Sequence, residues 1–373
     1  MKRRGMAAMG TRTSDTTRSA QRWVLALAAV ASFMVALDTL VVATALSTIR
    51  EDLGTSLEGL QWTANAYNLS FAVLLMTGAA VGDRFGRRRM YVAGLVLFAV
   101  ASAGCALAPD IGTLIVARAV QGAGAALVTP LALTLLSTAF PPAQRGRALG
   151  ILAGLAGLAT FSGPFIGGAI AEGLSWQWIF WINVPIGLIA ALLAQRRIVE
   201  SHGPVRRLDL GGLVLVTVGV LGLVWGLSRG NVAGWGAGEV VAALTVGTVL
   251  VAGFVAWEHR ATAAPMLPPR FFGRTAFTAG NVANLCLWGS LYGFLFLTAQ
   301  YLNALGHGPL GAGLRLMACT GPLIVVAPLA GALADRLGER RFLVGGLLLQ
   351  AISMGWLALI AGPDLAYPLM VAP

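Results

Sequence analysis

The chain has 373 residues, of which 57% are hydrophobic and 11% are charged, with a mean hydropathy of +0.79 and a formal net charge of +11. Soluble domains carry about 25% charged residues, so this composition excludes a protein whose main solvent is water and indicates helices packed in lipid. The net charge does not indicate a nucleic-acid partner, because the basic residues lie in alternate loops between apolar segments.

Eleven apolar segments are long enough to cross a bilayer as helices, which takes about 20 residues. In chain order these predicted spans are Trp23–Leu46, Gly59–Val81, Tyr91–Ala108, Gly112–Phe140, Ala148–Ala171, Ile179–Ala194, Leu210–Leu227, Gly238–Trp257, Thr275–Leu302, Leu310–Ala334 and Phe342–Ala361. A twelfth begins at Tyr367 and stops at Pro373. Residues 1–22 are predicted to form a disordered, basic cytoplasmic tail and not a signal peptide, because the span that follows is too long and lacks a cleavage pattern.

The distribution of basic residues predicts which side of the membrane each loop occupies. All 26 Lys and Arg residues except Arg50, Arg118, Arg229 and Arg315 fall in the first tail or in every second loop after it. Positive residues are retained on the cytoplasmic side, so the N-terminus is predicted to be cytoplasmic in a multi-pass protein of the cell membrane.

A short motif occurs twice. The segment from Asp83 to Arg89 recurs from Asp335 to Arg341 with the shared pattern Asp-Arg-x-Gly-x-Arg-Arg. The two copies, called here the first basic loop (residues 82–89) and the second basic loop (residues 335–341), both lie in predicted cytoplasmic loops. Repeats of this kind indicate a transporter built from two similar halves that rock around a central site.

The first basic loop, together with the helix end that begins at Gly78, resembles the signature between helices 2 and 3 of the major facilitator superfamily. The resemblance implies a conformational gate and not a substrate site. Residues implied to form this gate are Gly78, Gly82, Asp83, Arg84, Gly86, Arg87 and Arg88, with Asp335, Arg336 and Gly338 in the repeat. Gly78 and Gly82 also predict a flat helix face for close packing.

The spacing of the two basic loops predicts how the chain is divided. Eight predicted spans lie between them, where a twelve-helix member of the family has six, so the chain resembles the fourteen-helix drug:proton antiporters. The expected fold is an all-α polytopic membrane protein with two pseudo-symmetric bundles. The expected regions are residues 1–22 as a tail, 23–200 as a six-helix bundle, 201–265 as two inserted linker helices and 266–373 as an incomplete C-terminal bundle.

Among the charges inside predicted spans, Asp38 and Arg118 are the candidate functional residues. A carboxylate at the depth of Asp38 is costly unless it is protonated, paired or hydrated, so a functional role is the default hypothesis. The surroundings of Asp38 resemble the helix-1 motif of the fourteen-helix antiporters, although Ala43 and Ser47 replace the family's usual Asn and Pro. Arg118 lies in a segment that resembles the family's helix-4 motif, in which the arginine is implicated in proton transfer. Asp38 and Arg118 are predicted at matching depths, where they couple proton binding to transport; a static structural ion pair is the alternative.

The fifth span contains Gly163, Pro164, Gly167 and Gly168. An interior proline breaks one helix hydrogen bond, and glycines permit close contact with the other half, so a hinge is expected here. The segment resembles the antiporter motif of exporters in this family; ordinary glycine-rich packing is the alternative.

In the second span, Trp62, Asn65, Tyr67 and Asn68 form a polar stripe that is a candidate lining of the substrate cavity, together with Gln121 of the fourth span. Any of the four may equally bond neighbouring helices, and that alternative stays open at this stage.

The resemblance implies proton-coupled export of lipophilic or cationic drugs by alternating access, with small substrates and protons as partners, a monomeric state and no cofactor beyond the coupling ion. A nutrient symporter of the same fold and a non-transporting membrane sensor are the alternatives. The three cysteines lie in apolar segments and the three histidines lie far apart, so no metal site is expected, and no catalytic pattern indicates an enzyme.

The family's first basic loop docks near the penultimate helices of the C-terminal half, which would lie beyond Pro373. The loop is therefore expected to lack its partner in this chain, and the chain to be either a fragment of a longer transporter or a defective product.

Overall fold

The computed structural model describes residues 2–203, 209–260, 269–304, 315 and 321–360. The described residues are helical and contain no strand. Twelve α-helices are present among them: α1 Lys2–Leu53, α2 Leu57–Phe85, α3 Arg87–Ala106, α4 Ile111–Ala139, α5 Pro142–Gly173, α6 Trp178–Trp181, α7 Asn183–Arg197, α8 Leu210–Ala233, α9 Gly238–Arg260, α10 Thr275–Ala304, α11 Leu323–Leu337 and α12 Glu339–Ile360. A single 3-10 turn covers Pro269–Phe271.

Eight of the helices in the described part of the chain are long and apolar enough to cross a membrane. The predicted spans coincide with these eight and with α5, α10 and α11, and α6 and α7 together form one span from Trp178 to Arg197. The predicted span from Leu310 to Ala334 lies partly outside the described residues.

Polar caps and glycines end the helices. The Asp110 side chain caps α4 by accepting the Thr113 N–H at 2.9 Å, and this hydrogen bond holds the pKa of the Asp110 carboxyl below its usual range. α2 ends at Gly86 with φ of 107°, and α11 ends at Gly338 with φ of 96°, a region that favours glycine. The same sharp corner therefore lies within both copies of the repeated motif.

The structure differs from the predicted disordered tail, because α1 runs from Lys2. Residues 2–22 contain no proline, and Ala, Met and Arg, which favour helix, outnumber the two glycines. Continuation from the first membrane span removes the cost of starting a separate helix.

Helices α1 to α7 pack into one bundle, with α4 against α2 and α3, and α1 against α5. Glycine sets the closest approach between α2 and α4: a Cβ atom at Gly78 would collide with Ala126 O, and one at Gly82 with the Leu131 side chain. The predicted flat glycine face on α2 is therefore present, and it packs on α4.

Helices α8 and α9 form an antiparallel pair that follows this bundle. Gly219, Gly222 and Gly247 lie where the two backbones meet, and the Thr77 and Thr217 hydroxyls lie 3.4 Å apart between α2 and α8. The predicted linker helices thus rest on the outside of α2.

Helix α11 lies against α5. A Cβ atom at Gly331 would collide with Gly146 O and lie 3.3 Å from Gly150 Cα. This close approach between α11 and α5 lies at the start of α5, well before Pro164.

The loops that carry most of the charge meet at one end of the bundle. Gln21 Nε2 donates to Ala139 O at 3.0 Å, and Arg87 N donates to Ser201 O at 2.8 Å. At the opposite end, Trp176 Nε1 donates to Asp52 Oδ2 at 2.7 Å. We call the end of the bundle at which Gln21 and Arg87 lie the basic end.

Candidate functional site

Asp38 and Arg118 are in direct contact in the interior of the N-terminal bundle. Arg118 Nη1 lies 2.5 Å from Asp38 Oδ2, and the two residues are 1% and 2% exposed. Arg118 also donates from Nη1 to Gln121 Oε1 at 2.7 Å and from Nε to Thr63 O at 3.4 Å. Burial strengthens the Coulomb attraction between the pair but also removes both charges from water, so additional hydrogen bonds are needed to hold them.

The second carboxylate oxygen of Asp38 accepts two amide donors. Gln121 Nε2 lies 2.9 Å from Asp38 Oδ1, and Asn183 Nδ2 lies 2.8 Å from the same atom. Asn183 also donates to Ser102 Oγ at 3.2 Å, and Ser102 Oγ donates to Phe180 O at 2.9 Å. The carboxylate is thus held by α4 and α7, and α3 supports α7.

Two aromatic rings flank the guanidinium of Arg118. Its Cζ atom lies 4.2 Å from the centre of the Tyr67 ring and 5.7 Å from that of Phe180. Such contacts stabilise a cation without neutralising it. The Tyr67 hydroxyl is buried and makes no hydrogen bond of ordinary geometry with the described residues; the Thr39 hydroxyl, which donates to Val35 O, lies close to it.

Local sequence explains how this site is assembled. Arg118 and Gln121 are three residues apart, so both project from the same face of α4. A Cβ atom at Gly122 would collide with Tyr67 O, so this glycine lets α2 approach closely enough for Tyr67 to reach Arg118. Asn183 is the first residue of α7, after the break at Ile182 that separates it from α6.

The predicted polar stripe of α2 divides into two faces. Tyr67 and Gln121 join the Asp38 site, whereas Trp62 and Asn65 line a small cleft of about 40 Å³ against α8, and Asn68 is exposed. Asn65 and Tyr67 are two residues apart, which places them about 160° apart around a helix of 3.6 residues per turn. The four residues therefore do not share one face of α2, and their role in lining a substrate cavity stays a prediction.

A wider cleft of about 580 Å³ opens at the basic end between α1 and α5. Its wall contains Arg22, Gln144 and Arg147 beside apolar side chains such as Phe140 and Ile151. None of the predicted cavity-lining residues contributes to it.

The first basic loop packs on the segment that follows α7, residues 198–203, which we call the post-α7 segment. Glu200 accepts the N–H groups of Arg88 at 2.9 Å and Arg89 at 3.2 Å, and Gly203 N donates to Asp83 O at 2.9 Å. The Asp83 carboxylate itself accepts Arg87 Nε at 2.8 Å. The loop therefore has an acidic partner within the N-terminal half, because Glu200 offers an acceptor to the free N–H groups at the start of α3. The expectation that the loop lacks a partner in the C-terminal half stays a prediction.

The remaining gate residues lie at the surface. The Arg84 guanidinium packs over the Phe85 ring at 5.2 Å. In the second basic loop, Gly338 makes the corner between α11 and α12 and Arg336 is exposed, whereas Asp335 belongs to α11 and its side chain lies outside the described residues.

The predicted hinge lies in a continuous helix. α5 runs from Pro142 to Gly173 without a break at Pro164, and Gly163 packs against Leu40 Cβ of α1. The surroundings of Pro164, Gly167 and Gly168 lie outside the described part, so hinge motion stays a prediction.

Sequence reasoning missed Asn183, Ser102 and Glu200. Asn183 and Ser102 carried a usable signal, since a polar side chain within an apolar span needs a hydrogen-bond partner. Glu200 is one acidic residue after a basic helix end, and sequence alone assigns it no partner.

With the fold and the site described, the comparisons define the class of protein. The Major Facilitator Superfamily profile matches residues 28–372, and the chain belongs to this family of membrane transporters. The solved structure of the proton:xylose symporter XylE superposes with a TM-score of 0.66 at 15% identity, covering 95% of this chain and 78% of that chain, which shows the shared fold.

Among individual relatives, the chain is 39% identical over 337 residues to the tetracenomycin C resistance and export protein of Streptomyces glaucescens, covering 89% of this chain and 62% of that protein. It is 38% identical over 371 residues to the cephamycin export protein CmcT of Amycolatopsis lactamdurans, covering 98% and 75%. The multidrug resistance protein Stp of Mycobacterium tuberculosis is 36% identical over 332 residues, 88% of this chain and 61% of that protein. The chain thus spans about three fifths to three quarters of these relatives.

Proposed function

We propose that this chain acts in proton-coupled export of lipophilic or cationic drugs across the cytoplasmic membrane by alternating access. The observation that carries the proposal is the buried contact between Asp38 and Arg118, an ion pair that is fully removed from water. The relatives named as antibiotic or multidrug exporters support the substrate class.

Asp38 is the proposed proton carrier. With Asp38 ionised, Arg118 is held at Oδ2 and the amides of Gln121 and Asn183 at Oδ1. Protonation removes the negative charge that the buried guanidinium needs, so it weakens the α1–α4 contact and favours a different packing of the bundle. Tyr67 and Phe180 then continue to stabilise the guanidinium by cation–π contact.

The proposed gates lie at the basic end. The first basic loop, bound to the post-α7 segment, holds α2 and α3 in register, while the second basic loop continues α11, whose Gly331 contacts the start of α5. Rocking of the two halves would separate α11 from α5 while each loop moves with its own half. The glycines at this contact place the backbone of α11 against the backbone of α5, so the two helices can separate without breaking side-chain bonds.

Charge and helix order support the proposed orientation and subgroup. The basic end is proposed to be cytoplasmic by the positive-inside rule. The α8–α9 pair between the two repeated motifs supports membership of the fourteen-helix drug:proton antiporters, and the transporter is proposed to work as a monomer.

Expression of the chain in an efflux-deficient host, followed by a panel of lipophilic cations and antibiotics with and without a protonophore, tests the proposal. The expected result is raised resistance to some compounds that disappears when the proton gradient is collapsed. Accumulation in everted vesicles distinguishes an exporter from a nutrient symporter, since an exporter loads such vesicles. Resistance that persists unchanged with protonophore, or flux in the opposite direction, would overturn the proposal.

A further inference from the structure

The Asp38 site contains a residue pair, Asn183 and Ser102, whose effect on proton binding by Asp38 the proposed transport cycle does not specify. Asn183 is 1% exposed and Ser102 is fully buried. Amide and hydroxyl groups are costly to bury unless they are hydrogen-bonded, so their retention in an apolar bundle needs a compensating interaction. Asn183 bonds to the carboxylate of Asp38, and Ser102 bonds to Asn183 and to the backbone carbonyl of Phe180.

The bonds form a directed series. Ser102 donates to the backbone carbonyl of Phe180, which fixes its hydroxyl lone pairs toward Asn183. Asn183 uses both amide protons, one toward Ser102 Oγ at 3.2 Å and one toward Asp38 Oδ1 at 2.8 Å. Since the second proton is held by Ser102, the Asn183 amide is fixed with its NH₂ group, and not its carbonyl, facing the carboxylate.

Such a donor discriminates between the two protonation states of Asp38. An N–H group bonds strongly to an ionised carboxylate and more weakly to a neutral carboxylic acid. With the amides of Gln121 and Asn183 both on Oδ1, a proton that arrives is directed to Oδ2, the oxygen that Arg118 holds. Proton binding therefore competes with Arg118 directly.

The charged and titratable groups around the carboxylate are few. Among the described residues, those that face Asp38 are Arg118 on α4, Tyr67 on α2 and Cys105 on α3. The ionisable residues of α7 lie in its last turn, and those of α5, which packs on α1, lie near its two ends. Gln121 shares its helix and its hydrogen bonds with Arg118, whereas Asn183 reaches Asp38 from a different helix. Asn183 can thus be altered without removing a contact of the arginine.

We infer that Asn183, oriented by Ser102, is a positioning residue that sets the proton concentration at which Asp38 is loaded. Loss of its N–H donor removes stabilisation from the ionised form alone, so the proton affinity of Asp38 rises and loading occurs at higher pH. Loss of one hydrogen bond to a charged group is expected to raise the proton affinity about tenfold, which moves the titration midpoint by about one pH unit. The role of this tuning in transport rests on the proposed function, but the protonation change itself does not.

The test is an infrared titration of the purified 373-residue chain in lipid, without substrate. The C=O stretching band of protonated carboxyl groups is followed against pH, and the part lost in Asp38→Asn is assigned to Asp38. Asn183→Leu, which keeps the volume and removes the donors, is expected to move the midpoint upward by about one pH unit. Ser102→Ala is expected to move it upward by less, and Ser102→Thr, which keeps the hydroxyl, to restore the wild-type midpoint.

Asn281→Leu is the matched control, because Asn281 is an amide in the α10 span that donates to Phe277 O, and no shift is expected there. An unchanged or lowered midpoint in Asn183→Leu would overturn the inference. If that variant does not fold, Ser102→Ala decides alone, an upward shift supporting the inference and an unchanged midpoint overturning it. The titration needs no drug, so it tests this inference separately from the proposed function. A shifted midpoint in a chain that exports no drug would support this inference and contradict the proposed function.

Discussion

At the scale of single residues, the site depends on how the two oxygens of Asp38 are shared. Oδ2 faces the guanidinium of Arg118, and Oδ1 faces the amides of Gln121 and Asn183. A buried pair of this kind has a small net effect on stability when it is intact, but loss of one partner leaves an uncompensated charge. Charge balance at the site is therefore more important for folding than the attraction itself.

The first prediction concerns that balance. Arg118→Gln leaves the Asp38 carboxylate buried without a cation and is expected to cost about 3–5 kcal/mol of stability. Asp38→Asn combined with Arg118→Gln removes both charges and is expected to recover most of that loss. The measurement is the thermal unfolding midpoint in detergent, with Arg274→Gln, an exposed arginine after the 3-10 turn, as control. A double variant no more stable than Arg118→Gln would contradict this account.

The sequence was sufficient to single out Asp38 and Arg118, because a charged residue inside an apolar span can be recognised without a structure. It was not sufficient to find Asn183 as a partner, since the break at Ile182 that orients α7 depends on how α6 packs. The division of α2 into a Tyr67 face and a Trp62 face was visible in principle from helical periodicity. Residues that are near one another in sequence are not always neighbours in space, so the four polar residues of α2 divide between two faces.

At the scale of secondary-structure elements, close helix contacts depend on glycine. A Cβ atom at Gly78 would collide with the backbone oxygen of Ala126, which cannot rotate away as a side chain can. Backbone contacts of this kind fix the separation of α2 and α4 and with it the reach of Tyr67 to Arg118. The apolar segments predicted where the helices lie, but not which faces of the helices meet.

Gly78→Ala is the second prediction. The added methyl group must push α2 away from α4, and overpacking of this kind costs about 1–3 kcal/mol. Gly104→Ala in α3 is the matched control, because its Cβ atom would lie 3.6 Å from Ala117 Cβ, an ordinary contact, and helix propensity favours alanine. Thermal unfolding should show a lower midpoint for Gly78→Ala and an equal or higher one for Gly104→Ala; equal losses in both variants would argue against the packing described.

The third prediction concerns Glu200. Its carboxylate accepts the N–H groups of Arg88, Arg89 and Ser201 and thereby joins the first basic loop to the post-α7 segment. Glu200→Ala removes these acceptors, and each hydrogen bond to a charged group contributes about 1.5–3 kcal/mol. Local opening of the loop should therefore become at least about tenfold more frequent. Hydrogen–deuterium exchange should accelerate in peptides covering residues 86–90 and 198–203.

Glu51→Ala, at the exposed opposite end of α1, provides the comparison and should leave exchange in both peptides unchanged. Wild-type exchange rates in Glu200→Ala would show that the loop is held by other contacts. The sequence identified the basic loop but assigned its partner to the C-terminal half, since a resemblance to a family carries no information on local bonds made by a single acidic residue.

At the scale of the whole molecule, the order of helices and the repeated motif agree. Both motif copies end one helix and start the next at a glycine with positive φ, Gly86 and Gly338. Hydropathy and charge were enough to predict the spans and a multi-pass membrane protein. The bilayer requires apolar helical spans and retains basic loops on one side of the membrane. The helical start of α1 was not predicted, since residues 1–22 were expected to form a disordered tail.

Sidedness is the fourth prediction. In a chain with Cys105, Cys286 and Cys319 replaced, a single Leu107→Cys should react with a membrane-impermeant maleimide added to intact cells, whereas Gln144→Cys should react only after the membrane is opened. Leu107 is exposed at the end opposite the basic end, and Gln144 is exposed at the basic end. Labelling of Gln144→Cys from outside would reverse the proposed orientation.

The central claim is that Asp38 carries the proton that drives export. Everted vesicles that contain the chain are acidified inside, and the internal pH is followed with a dye after a transported drug is added. The wild-type chain is predicted to release internal protons as the drug enters, and Asp38→Asn to show no drug-dependent release while still present at wild-type level in the membrane. Drug-dependent proton release by Asp38→Asn equal to that of the wild type would contradict the account.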